Sequence, residues 1–110
     1  MNVVSGSPPW CLLDLGENRE LVCNHYTLRM DSSGSFLRDW KLQGSNDPSA
    51  SDDPWVTLRV HEQEETFDFA NWAIFGKFAR FPYRYFRLIG TPEGPMKLGL
   101  SSIELYGYFK

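Results

Sequence analysis

Leu21-Val22-Cys23-Asn24-His25-Tyr26-Thr27-Leu28-Arg29-Met30 is the stretch on which the reading of the fold turns. Val22, Asn24, Tyr26, Leu28 and Met30 fall on one side, and Leu21, Cys23, His25, Thr27 and Arg29 on the other. A period of two sustained over so long a run, rich in Val, Tyr and Thr, marks a half-buried β-strand, because helix faces recur every 3.6 residues instead. Asp31-Ser32-Ser33-Gly34-Ser35 then supplies turn chemistry.

Working outward, the same alternation returns. Residues 40–44 place Trp40 and Leu42 inward, and residues 45–54 are a loop of Asn, Asp, Ser and two prolines. Residues 55–60 set Val56, Leu58 and Val60 against Trp55, Thr57 and Arg59. Residues 83–89 set Arg84, Phe86 and Leu88 against Tyr83, Tyr85, Arg87 and Ile89. The last strand, 100–109, is anchored by Ile103 and Leu105. Helical turns fit only 17–23 and 62–69, and neither carries an apolar stripe. Short strands separated by Gly, Pro, Ser and Asp, without strand–helix alternation, predict an all-β antiparallel sandwich or barrel.

The chain has 110 residues, 42% hydrophobic and 15% aromatic, which suits one domain spanning 1–110 with a single core. No apolar run approaches the roughly 20 residues of a membrane-spanning helix, and the first nine residues lack the basic and apolar blocks of a signal peptide. Two cysteines make at most one bridge, and no Asn-x-Ser/Thr acceptor occurs, so the expected compartment is intracellular, cytoplasmic or nuclear. The net charge of −3 argues against a duplex-DNA binder. Charge is nonetheless divided. Residues 47–68 carry Asp47, Asp52, Asp53, Glu62, Glu64, Glu65 and Asp68 against Arg59 alone, whereas 77–87 carry Lys77, Arg80, Arg84 and Arg87 with no acid.

Catalytic patterns do not emerge. His25 and His61 have no Cys or second His at metal-ligand spacing, so neither a metal nor a cofactor is expected. His61-Glu62-Gln63-Glu64-Glu65 approaches the helical zinc motif, but Glu65 stands where the second His belongs, and a solvated acidic loop is the expected form. Asp47, Asp52 and Asp53 lack the spacing of an EF-hand and read as an exposed loop. No nucleophile elbow, phosphate loop or dinucleotide fingerprint is present, which predicts a chain that is not an enzyme.

Residues 67–82 hold the largest surplus: Phe67, Phe69, Trp72, Phe75, Phe78 and Phe81, interleaved with Asn71, Lys77 and Arg80. One strand face cannot bury them all. Two readings stand. In one, Trp72, Phe75, Lys77, Phe78 and Arg80 form a binding surface on an end loop, and Trp72→Ala or Arg80→Ala weakens capture without loss of stability. In the other, Trp72 and the phenylalanines plug the end of the sandwich and leave Lys77 and Arg80 as a solvated rim. Trp40 and Trp55 sit at core-compatible positions, and Arg38 and Arg87 read as structural ion pairs.

Trp10-Cys11-Leu12-Leu13-Asp14-Leu15-Gly16, Asn24-His25-Tyr26-Thr27-Leu28-Arg29 and the stretch from Leu37-Arg38-Asp39-Trp40 through Gly44-Ser45-Asn46-Asp47 resemble the discoidin, or coagulation-factor 5/8 type C, domain. Trp55-Val56-Thr57-Leu58, Tyr83-Arg84-Tyr85-Phe86-Arg87-Leu88 and Leu100-Ser101-Ser102-Ile103-Glu104-Leu105-Tyr106-Gly107 extend the likeness in register. The resemblance implies a galactose-binding-like jelly-roll β-sandwich. It is similar to the intracellular branch found with BTB domains or in ubiquitin ligases. Family members carry more residues before the first of these motifs, which predicts a missing opening strand or a piece of a longer chain. The implied function is a non-catalytic module that recruits a protein or peptide. A carbohydrate-binding module using exposed aromatics is the alternative, and single-stranded nucleic-acid binding through Lys77, Arg80, Arg84 and Arg87 is the third.

Overall fold

The computed structural model describes residues 2–4, 9–30, 38–48, 54–64, 69–91 and 100–110. Through them run β1 (Asn2–Val4), β2 (Trp10–Asp14), β3 (Leu21–Met30), β4 (Trp40–Ser45), β5 (Val56–His61), β6 (Phe69–Ala73), a one-turn 3₁₀ helix (Gly76–Ala79), β7 (Tyr85–Gly90) and β8 (Leu100–Phe109). The strands form two antiparallel sheets, ordered β1-β2-β7-β4-β5 and β6-β3-β8. This is the all-β sandwich expected. The turn at 31–35 and the aspartates Asp52 and Asp53 lie outside the described residues, as do Phe67, Glu65 and Asp68. Among the described residues the one helical turn falls at neither window anticipated for it, but inside the aromatic segment.

The core between the sheets joins Tyr26 and Leu28 of β3, Trp40 and Leu42 of β4, and Phe86 and Leu88 of β7, all essentially sealed from water. Each such side chain stabilises the fold by roughly 1.5–3 kcal/mol relative to exposure. Trp40 and Leu42 therefore point as expected.

In β3 the alternation hides a break. Opposite β8, Cys23 pairs with Gly107 and His25 with Tyr106, so Asn24 is an extra residue without a partner. This β-bulge switches the inward phase, and the core takes Leu21 and Cys23 before it but Tyr26, Leu28 and Met30 after it. Val22 thus does not share a face with Tyr26, contrary to the uninterrupted period of two. Gly107 opposite the bulge is required: a Cβ there would lie 1.9 Å from the Val22 carbonyl oxygen.

A second bulge corrects β5. Gln43 pairs with Thr57 and Leu42 with Arg59, leaving Leu58 as the extra residue. Leu58 is buried at 5%, while Val56 and Val60, expected on its face, are exposed at 41% and 50%. His61, opposite Trp40, turns inward with it.

Register also places the loops. Asp14 and Ser45 both pair with Tyr85, and Leu21 with Phe109, so the β2–β3, β4–β5 and β6–β7 connections share one end of the sandwich with Lys110.

Candidate functional site

The β6–β7 connection crosses from one sheet to the other at that end. It is pinned at its start, where Ile74 N–H donates to Asn24 O (2.9 Å) with the Ile74 side chain buried. Tyr83 and Leu21 exchange backbone hydrogen bonds of 2.9 and 3.0 Å at its finish. Tyr83 lays its ring over Gly44, where a Cβ would come within 2.6 Å of a ring carbon. Between these anchors the 3₁₀ turn, closed by Phe78 N–H to Phe75 O (3.3 Å), lifts phenylalanines out of the core. Phe75, Phe78 and Phe81 are 66%, 40% and 58% exposed. Phe78 and Phe81 join Val56 and Tyr83 around an open groove of about 500 Å³. The Arg59 guanidinium lies 5.1 Å from the centre of the Phe75 ring and also donates to Ala73 O from β6, bridging the two sheets.

Both readings of the aromatic segment are thereby divided between residues. Trp72, expected among the binding residues, is half-buried, its ring centroid 4.7 Å from His61 and 5.3 Å from both Tyr26 and Trp40. It closes the interior, because β6 is an edge strand whose inner face meets the β5 edge of the facing sheet. Phe75, Phe78 and Arg80 are exposed, and the side chain of Lys77 lies outside the described residues. Val56 and Tyr83 also line the groove; Val56 pairs with Gly44, on the Trp40 and Leu42 side of the sheet, and is 41% exposed at this end of the sandwich.

Beneath Trp72 sits a buried polar chain. Trp40 Nε1–H donates to the Tyr26 hydroxyl (3.1 Å), Tyr26 meets His61 Nε2, and His61 Nδ1 lies 2.7 Å from Glu64 Oε1. Trp40 and His61 stack at 4.3 Å. Burial holds the His61 imidazole below its ordinary pKa, with Glu64 pulling partly the other way, and burial pushes the Tyr26 phenol far up. A neutral imidazole then accepts from Tyr26 at Nε2 and donates to Glu64 from Nδ1. The order Tyr–His–Glu has the chemistry of a proton relay, but Tyr26 and His61 are 0% and 2% exposed, so no substrate atom reaches them. The chain stitches the sheets together. His61 is accordingly a core residue, not part of the solvated acidic loop expected, while Glu62 and Gln63 do face water.

The basic run is similarly divided. Arg84 is held by both oxygens of Asp14 (2.8 and 3.1 Å), and Arg87 is 2% exposed, donating to Gln43 Oε1 (2.6 Å) with its guanidinium 4.6 Å from the Trp55 ring centre. Trp55 is a buried structural residue, as expected. Arg80 keeps its side chain in solvent. Among the described residues no three His, Cys, Asp or Glu side chains gather as metal ligands, and no helix is long and apolar enough to cross a membrane.

No protein-family model matches the chain. A BTB/POZ domain-containing protein of Arabidopsis thaliana is 42% identical over 110 residues, covering 92% of this chain; the chain spans 13% of that relative's length. Among solved structures, CBM62 from Clostridium thermocellum Xyl5A superposes with a TM-score of 0.74 at 18% identity, over 94% of this chain and 70% of that one. A chitosan-binding module from a Paenibacillus chitosanase/glucanase, in complex with chitotriose, has a TM-score of 0.68 at 16% identity over 97% and 76%. An F5/8 type C domain of a Bacteroides fragilis protein has a TM-score of 0.62 at 19% identity over 96% and 71%. These neighbours are named as binding modules or domains. The chain thus has the galactose-binding-like β-sandwich fold that F5/8 type C domains share with carbohydrate-binding modules.

Proposed function

We propose that this domain is a non-catalytic recruitment module that holds a protein or peptide partner in the groove of Val56, Phe78, Phe81 and Tyr83, within an intracellular BTB-type or ubiquitin-ligase scaffold. The observation that carries the reading is the set of phenylalanines lifted into solvent on a doubly anchored connection. Exposed aromatic anchors on a rigid frame are what protein interfaces use, and a groove lined by Val56, Phe78, Phe81 and Tyr83 suits an apolar side chain better than a sugar. Phe75 and Arg80 extend the same surface, with Lys77 beside them in the sequence. The likeness to a BTB/POZ domain-containing protein supports the scaffold.

A glycan is the second reading, favoured by neighbours named as chitosan- and fucose-binding modules. It needs a coplanar Trp or Tyr platform; none of the four tryptophans is exposed, and the exposed Tyr106 and Tyr108 lie on β8, not among the residues of the groove. Nucleic acid is disfavoured because Arg84 is paired and Arg87 is buried.

The deciding experiment places Phe78→Ser with Phe81→Ser in the full-length protein and compares cross-linked partners in cells with the unaltered chain. Discrete proteins lost by the double variant, whose unfolding temperature is unchanged, support recruitment. A partner set indifferent to the substitutions overturns it, and a glycan-array signal that the double variant retains moves the function to sugar binding elsewhere on the domain.

A further inference from the structure

The long edge of the smaller sheet has a self-complementary sequence. β8 runs from Leu100 to Phe109, and among the described residues no strand pairs with its outer side. Such an edge is a template for another strand unless charge, proline or a covering loop blunts it. Here it is long, its only charged residue is Glu104, and Tyr106, Tyr108 and Phe109 are 44%, 53% and 64% exposed.

Backbone phase fixes which groups are free. Lys110 N–H donates to Glu20 O (2.9 Å), so this pair is hydrogen-bonded to β3. Because antiparallel strands alternate, the N–H and C=O groups of Tyr108 and Tyr106 also face β3, and those of Phe109, Gly107 and Leu105 face outward. A partner strand must meet odd residues with odd ones.

The geometry points to a second copy of this chain as that partner, joined β8 to β8 in antiparallel register about a two-fold axis at Gly107. This register sets Gly107 opposite Gly107, Leu105 opposite Phe109, Tyr106 opposite Tyr108 and Glu104 opposite Lys110 of the other copy. It is the register that puts the acid of β8 against the base that follows it. Centring on Tyr106 would set Glu104 against Tyr108, and centring on Glu104 would bring two carboxylates together. Glu104, Tyr106, Tyr108 and Lys110 share one face, so each opposed pair can touch, and Phe109 gains an apolar partner in Leu105. The result is one continuous six-stranded sheet.

Sedimentation equilibrium from low micromolar to near millimolar concentration tests the inference, with Glu104→Lys, Lys110→Glu and the double swap. Each single change replaces two attractive cross-strand pairs by two repulsive ones and weakens dimerisation about tenfold, and the double swap regains it. A second arm mixes Tyr106→Cys chains with Tyr108→Cys chains. Mild oxidation cross-links the mixture and neither variant alone, since Cys11 and Cys23 are buried. A monomer at every concentration overturns the inference and leaves the edge to a strand from elsewhere. A dimer indifferent to the swaps, or a cross-link formed by one variant alone, also overturns it.

Discussion

Trp72→Ala discriminates between a closing side chain and a ligand platform. In the folded chain the Trp72 ring is in contact distance of three buried rings, those of Tyr26, Trp40 and His61. Truncating a fully buried Trp or Phe costs about 3–5 kcal/mol. Trp72 is half-buried, so about 2–3 kcal/mol is expected, an amount consistent with three aromatic contacts of roughly 0.5–1.5 kcal/mol apiece, part of which is regained by solvation. For a domain this small, that loss lowers the melting temperature by about 10 °C. Urea unfolding followed by tryptophan fluorescence, with calorimetry as a second probe, measures both quantities. Phe78→Ala, on the exposed turn, is the internal comparison and should cost less than about 1 kcal/mol. Were Trp72→Ala to unfold within about 0.5 kcal/mol of the parent, the closing role would be refuted and the ring would belong to the binding surface after all.

Two further outcomes follow from the interior. Gly107→Ala should destabilise by about 2 kcal/mol or more in chemical denaturation, because the added methyl meets backbone rather than a side chain that can swing aside; a loss under about 0.5 kcal/mol would mean the bulge relaxes freely. His61 should make the fold acid-sensitive. Its folded pKa lies below the ordinary value of 6.5, so the unfolded chain takes up the proton first, and stability present above pH 6.5 is lost as pH falls through the folded value. Unfolding measured at stepped pH should show this slope for the parent chain and a flatter one for His61→Gln, and equal slopes would count against a neutral buried imidazole.

How much of this was legible in the sequence depended on whether alternation ran unbroken. Trp40, Leu42, Phe86 and Leu88 lie in ladders without a bulge between them, and their inward direction followed from spacing alone. Asn24 and Leu58 are the places where spacing misled, since an extra residue leaves the composition of a strand untouched while reversing its faces. Trp72 and Phe75 look alike as surplus aromatics. Their separation depends on a contact between β5 and β6 edges, which no local pattern encodes. His61 was hidden for a similar reason: its acidic neighbours suggest water, and only the opposed Trp40 shows that the ring turns in.

The bulge at Asn24 also bears on how relatives of this chain should be compared. Removing that one residue would leave Leu21, Cys23, Tyr26 and Leu28 on a single unbroken side, so chains with and without it can build the same interior from sequences that differ by one position. An alignment scored on matching oily residues but forbidden a gap there would pair every later core position of β3 with a surface one.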